Sequence, residues 1–102
     1  MKKTFTLSLL AIGITASLAS TAFATTPDAR LRQMASNCGY CHGTDGHSRG
    51  GIPDINNLPR DYFVKQMQDF KSGARPATVM HQHASGYTDS EFEAFARYFA
   101  TR

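Results

Sequence analysis

Three stretches of the chain carry apolar residues at helical spacing, and no stretch alternates as a strand does. Leu31, Met34, Ala35 and Cys38 fall at i, i+3, i+4 and i+7, which places them on one face of a 3.6-residue period. Just ahead of them, Thr26-Pro27-Asp28 supplies a hydroxyl cap, a proline suited to the first turn and a carboxylate for the positive end of a helix. A first helix is predicted from that point. Phe63, Met67 and Phe70 mark a second, which starts at Pro59-Arg60-Asp61 and stops at Gly73 as its C′ residue. Thr88-Asp89-Ser90-Glu91 reads as a capping box, and Phe92, Phe95, Ala96 and Phe99 follow as a third apolar stripe. Between the first two helices, Gly43 to Asn57 shows no period and holds four glycines and Pro53. So long an irregular run is at home in a small domain only where it wraps something. The predicted fold class is all-α.

The first two dozen residues follow another pattern. Lys2 and Lys3 open the chain, an uncharged stretch rich in Leu, Ile, Ala and Ser follows from Thr4, and Ala22-Phe23-Ala24 offers small residues where a signal peptidase reads them. Met1–Ala24 is therefore predicted to be a cleaved secretory signal, with residues 25–102 as a single exported, periplasmic domain. A retained anchor fits less well, because the apolar stretch is short, diluted by Ser and Thr, and has no basic stop-transfer flank.

Taking the signal away changes the composition. The 102-residue chain has eleven basic and eight acidic residues, a net charge of +3, and the signal carries two of the basic ones, so the remainder stands at +1. The basic balance thus belongs to the signal, and a nucleic-acid-binding reading loses its main support. Residues 25–102 hold eleven Leu, Ile, Val and Phe side chains among 78, about 14%, where chains below roughly 20% tend toward disorder. Domains so small and lean need a staple, and two cysteines make no disulfide framework.

Both cysteines lie in Cys38-Gly39-Tyr40-Cys41-His42, the C-x-x-C-H spacing of covalent c-type haem attachment. Two thiols three positions apart can reach the two vinyl groups of one porphyrin, while the adjacent imidazole swings beneath the ring to bind iron. A thioredoxin-like dithiol would want a βαβ setting, and a zinc site would want four ligands; His47, five residues beyond His42, gives zinc one more donor but leaves the lean core unexplained. Haem answers both the spacing and the core deficit, and export agrees with attachment in the periplasm.

An iron that carries electrons without opening to substrate needs a second axial ligand. Met34 and Met67 sit in helical stripes and read as core, whereas Met80 lies 38 residues beyond His42, after Pro76-Ala77-Thr78-Val79, far enough along to return over the opposite face. Met80 is the predicted distal ligand, by the Met/His preference of electron-transfer cytochromes. His81 and His83 are its rivals.

With these residues in view the chain resembles the small class I cytochromes c, in particular the single-domain cytochromes similar to the haem subunit of flavocytochrome c sulfide dehydrogenases. The resemblance rests on Cys38-Gly39-Tyr40-Cys41-His42-Gly43, Ile52-Pro53-Asp54-Ile55, Leu58, Tyr62-Phe63, Phe70-Lys71-Ser72-Gly73, Thr78-Val79-Met80, Gly86-Tyr87-Thr88 and Tyr98-Phe99. It implies the small class I cytochrome c fold: three helices around one haem, the first and last crossing. It also implies His42 as proximal ligand, Met80 as distal ligand, and a Pro53 carbonyl accepting a hydrogen bond from the His42 ring. Tyr62 or Tyr87 would serve the haem propionates.

The expected function is a one-electron carrier that is not itself an enzyme. A subunit accepting electrons from a catalytic partner such as a flavoprotein is the alternative, and a haem enzyme or gas sensor would need a labile iron position. Arg60, Lys65, Lys71 and Arg75 lie between the proximal loop and Met80, where they could border the haem edge and steer an acidic redox partner. Interleaved Asp61 and Asp69 give the same run the character of an ordinary solvated helix face.

Overall fold

A computed structural model of the chain describes residues 26–102. The expected signal, Met1–Ala24, lies outside the described residues. Four helices follow in order: α1 Pro27–His42, α2 Arg60–Ser72, α3 Met80–Ser85 and α4 Asp89–Phe99, and no strand occurs among the described residues.

Local chemistry sets the helix ends. At α1 the Thr26 hydroxyl accepts the Ala29 N–H at 3.2 Å, and the helix stops at Gly43, whose φ of 85° leaves the helical region. A Cβ there would fall 2.1 Å from the His47 carbonyl oxygen, so only glycine can close the attachment turn this way. Gly73 ends α2 in the left-handed conformation, donating its N–H to the Phe70 carbonyl at 3.3 Å. At α4 the capping box is complete. The Thr88 side chain accepts the Glu91 N–H at 3.3 Å while Glu91 Oε2 accepts the Thr88 N–H at 2.8 Å.

The core is aromatic and comes mainly from α2 and α4. Phe92, Phe95 and Phe99 are fully buried, with Phe63, Val64 and Met67 from α2, Ala35 from α1, Ala84 from α3 and Ala96 beside them. Each buried Phe contributes about 1.5–3 kcal/mol of apolar transfer. Phe63 stacks on Phe99 at 6.3 Å between ring centroids, and Tyr87 meets Phe95 edge-on at 4.9 Å. Of the predicted α2 stripe, Phe63 and Met67 are buried, but Phe70 is only partly so and Val64 takes a buried place beside them.

Where the resemblance implies three helices, four are present among the described residues. The extra one, α3, makes under two turns from Met80, and its Val79 N-cap makes no side-chain hydrogen bond. Its place comes from packing: Ala84 is fully buried and α3 lies against α2. The first and last helices are in contact, as expected.

The irregular run between α1 and α2 is tightly held. The Gly46 carbonyl accepts N–H groups from Ile55 at 2.8 Å and Asn56 at 3.2 Å, and Asn57 N–H reaches the Phe99 carbonyl at 3.1 Å. Gly46, at φ 79°, lies so close to the end of α4 that a Cβ would stand 2.8 Å from the Phe99 ring. The loop thus closes on itself and on α4, which brings Pro53 back to His42.

Candidate cofactor site

The last two turns of α1 carry Cys38, Cys41 and His42, and all three line one elongated apolar cleft. On the Cys side the cleft encloses about 220 Å³ and is bounded by Asn37, Ile52, Thr78, Val79 and Tyr87. Its other end, about 190 Å³, is bounded by Leu58, Tyr62, Gln66, Phe70 and Arg75. His42, Pro53, Ile55, Phe63, Met67 and Met80 line both ends and join them. Every predicted site residue therefore meets at this cleft, brought together from α1, the glycine loop and α3.

The His42 ring is fixed in orientation. Its Nδ1 donates to the Pro53 carbonyl at 2.6 Å, which requires the proton on Nδ1 and leaves Nε2 with its lone pair. A second-shell carbonyl acceptor of this kind sets a ligating imidazole's angle and raises its basicity. The Pro53 segment is braced in turn: Asp54 Oδ1 accepts the Ser48 N–H at 2.6 Å, and Asp54 Oδ2 faces His47 Nδ1 at 3.2 Å. Asp45, on the same loop, accepts the His47 N–H at 3.0 Å. That bond, ahead of its own backbone N–H and the nearby His47 and Arg49 charges, holds its carboxyl below the usual carboxylate range.

Cys38 is half-buried and Cys41 exposed. Burial pushes the Cys38 thiol up to about 11, a backbone hydrogen bond opposing in part. A thiol raised this far is protonated at neutral pH, the reverse of the lowered value that a reactive dithiol needs. Among the described residues no three His, Cys, Asp or Glu side chains gather as a metal-binding cluster, so the donors of the zinc alternative are not assembled. Two thiols at one end of an apolar slot, an imidazole with a free Nε2 and a thioether are the donor set of a covalently attached haem, and the cleft fits that group.

Among the rivals to Met80, His83 lines the Cys side of the cleft and His81 lines neither end. One helical residue separates Met80 from His81, a turn of about 100°, whereas His83 comes back to the same face. Met34 packs against the core and does not line the cleft, while Met67 is buried and lines it.

Three of the four basic residues expected at the haem edge have partners elsewhere. Arg60 Nε pairs with Glu93 at 2.6 Å, Lys65 with Asp69 at 2.7 Å, and Lys71 donates to the Tyr87 carbonyl at 2.6 Å with Asp89 at 3.9 Å. Arg75 alone of the four lines the cleft. The bracing of Pro53 by His47 and Asp54 is absent from the sequence reading, since it joins residues seven apart in a run without period. Its one visible signal is Asp54 standing directly after Pro53.

No family model matches the chain. It is similar to the cytochrome subunit of sulfide dehydrogenase of Chlorobaculum tepidum, 42% identical over 72 residues that cover 71% of this chain and 66% of that protein. It is 38% identical over 64 residues to the thiosulfate dehydrogenase electron acceptor of Stutzerimonas stutzeri, covering 61% of this chain and 30% of that one. Cytochrome c4 of Pseudomonas aeruginosa is 32% identical over 95 residues, 92% of this chain and 47% of that protein. The chain thus spans about two thirds of the first relative and under half of the other two.

Proposed function

The chain belongs to the c-type cytochromes and is related to the cytochrome subunit of sulfide dehydrogenase, and from that footing we propose that it is an exported, periplasmic one-electron carrier. One haem would be held covalently by Cys38 and Cys41, with His42 and Met80 as axial ligands. Bound there, haem supplies a one-electron iron couple. The observation that carries the reading is the meeting of Cys38, Cys41, His42 and Met80 on one apolar cleft, with His42 Nδ1 held by Pro53 at 2.6 Å.

The side chains have separable tasks in this reading. Cys38 and Cys41 anchor the cofactor at one end of the slot. The Pro53 carbonyl keeps the proton on His42 Nδ1, so Nε2 stays available to iron in both oxidation states. Phe63, Met67 and Ile55 give the slot apolar walls, and Met80 lines it from α3. An iron with both His42 and Met80 as ligands would carry electrons without an open position for substrate.

The relatives named for sulfide and thiosulfate dehydrogenases favour a second reading, in which the chain is the electron-accepting subunit of a multi-component oxidoreductase such as a flavoprotein sulfide dehydrogenase. Both readings require a low-spin haem that ignores carbon monoxide. The purified reduced protein should keep its spectrum under CO, and a CO-shifted Soret band would contradict either. Recovery from periplasm together with a flavin-bearing chain would select the subunit reading.

A further inference from the structure

We propose that Asp54, with His47 as its charged partner, positions the His42 imidazole through the Pro53 carbonyl and ties the reduction potential of the bound cofactor to the protonation of His47. The inference rests on the haem reading above. It adds a residue pair that holds the proximal ligand in place, and a solvent proton to which the carried electron is linked.

Residues 47–54 form a loop whose ends are tied together by the backbone. The Gly46 carbonyl accepts the Ile55 N–H at 2.8 Å, and the Gly43 carbonyl, at the end of α1, accepts the Gly46 N–H at 2.8 Å. Within that frame Asp54 makes both side-chain contacts that reach across the loop: Oδ1 accepts the Ser48 N–H at 2.6 Å, and Oδ2 faces His47 Nδ1 at 3.2 Å. The Pro53 carbonyl and the Asp54 N–H belong to one planar peptide unit. Whatever holds Asp54 therefore also aims the oxygen that accepts from His42 Nδ1 at 2.6 Å.

His47 makes that hold depend on a proton. Only the imidazolium is obliged to carry a hydrogen on Nδ1, whereas a neutral ring does so in one of its two tautomers. The His47 side chain is 65% exposed, so its proton comes from and returns to solvent. The charges facing it belong to its own loop: Asp54, Asp45, whose carboxylate accepts the His47 N–H at 3.0 Å, and Arg49, whose charge acts on Asp45. α1 and α4 meet this loop through Gly43 and the Phe99 ring, and among the described residues His47 forms no ion pair with a helix. Protonated, His47 gives Asp54 a charge-assisted hydrogen bond and adds a positive charge to the loop, which favours ferrous iron. A firmer Pro53 bond makes His42 more basic and works the other way, but a whole charge gained or lost outweighs a change in the aim of one bond. Linkage is reciprocal: the proton on His47 favours the electron at iron, and the electron favours the proton. On reduction one electron arrives from the redox partner while His47 takes up a fraction of a proton from water.

Holoprotein carrying Asp54→Ala, Asp54→Asn, His47→Gln or Asp45→Asn tests the proposal, the last removing an equal charge from the same loop without touching the Asp54 contacts. Proton NMR of the ferrous protein reads how fast the His42 Nδ1 hydrogen exchanges with solvent, and spectroelectrochemistry reads the reduction potential against pH. Asp54→Ala should speed the exchange several-fold, because the aim of the Pro53 carbonyl is released. Asp54→Asn, which keeps an acceptor for Ser48 but not for His47, should fall between Asp54→Ala and the parent, and Asp45→Asn should match the parent. The parent potential should fall as pH rises through the titration of His47, and that fall should vanish in His47→Gln and persist in Asp45→Asn. Exchange unmoved by Asp54→Ala, or sped as far by Asp45→Asn, would overturn the positioning role. A pH dependence that survives intact in His47→Gln would overturn the proton link. If Asp54→Ala yields no holoprotein, Asp54→Asn is read against Asp45→Asn in its place, and equal exchange in the two overturns the role. A pyridine haemochrome assay on the parent separates the failures: absence of covalent haem overturns the reading of the cleft and this inference with it, whereas normal haem with unmoved exchange and potential overturns the inference alone.

Discussion

His42 has one ring nitrogen committed and one left over, and the Pro53 carbonyl makes that division. The same logic applies across the slot, where Met80 brings a neutral thioether from the first residue of α3 and His83 stands three residues on, at the Cys side of the cleft. Met80 lines both ends of the slot, where iron would lie, while His83 lines only one, and this favours the proposed thioether ligand. The ferric holoprotein should therefore show the weak thioether-to-iron charge-transfer band in the deep red at neutral pH. Met80→Ala should abolish the band and lower the reduction potential, and His83→Ala should do neither. Loss of the band in the His83 variant with retention in the Met80 variant would reverse the assignment.

At the scale of elements, the helices divide by how their ends are made. α1, α2 and α4 carry their boundaries in local chemistry at Thr26, Gly73 and Thr88, so the sequence alone announces them. α3 has no side-chain cap, and only the burial of Ala84 and the packing of α3 on α2 show why six residues coil there. The glycine loop is similar: its irregularity is visible in the sequence, but the bonds from Gly46 to Ile55 and from Asn57 to Phe99 join residues whose pairing no period encodes. The α4 cap gives the cleanest test. Thr88→Ala should cost about 1 kcal/mol and lower the melting temperature of the holoprotein by roughly 4–8 °C. Glu91 adds a pH signature. Its carboxyl is held below the usual range first by the Thr88 N–H, then by the Thr88 hydroxyl and the Arg30 and Lys71 charges. A carboxyl lowered on folding stabilises fully above its unfolded value, and that contribution is lost as pH falls through the folded one. The melting-temperature gap between parent and Glu91→Gln should therefore close on acidification. A gap that widened toward acid would contradict the cap's role.

Among the described residues the helices pack a small aromatic core and leave an apolar slot lined by Phe63, Met67 and Met80. Eleven Leu, Ile, Val and Phe residues in residues 25–102 face a backbone ordering cost of roughly 1–2 kcal/mol per residue, and of the side chains lining the slot only Phe63 and Met67 are already buried by the polypeptide itself. A Cys38→Ala, Cys41→Ala chain should accordingly lose most of its helical circular dichroism, and native-like helicity without haem would contradict that dependence. The lean core was legible from composition, and the proposed attachment point is read from the spacing of Cys38, Cys41 and His42. The place of Arg75 on the cleft was not, because it looks like any other cation of a charged run until the fold sets it apart from Arg60, Lys65 and Lys71. The most direct test of the central claim is the intact mass of the purified protein under denaturing acid. The expected mass is that of residues 25–102 plus one haem, and the mass of the bare polypeptide, or of a chain bearing two haems, would contradict a single covalent haem.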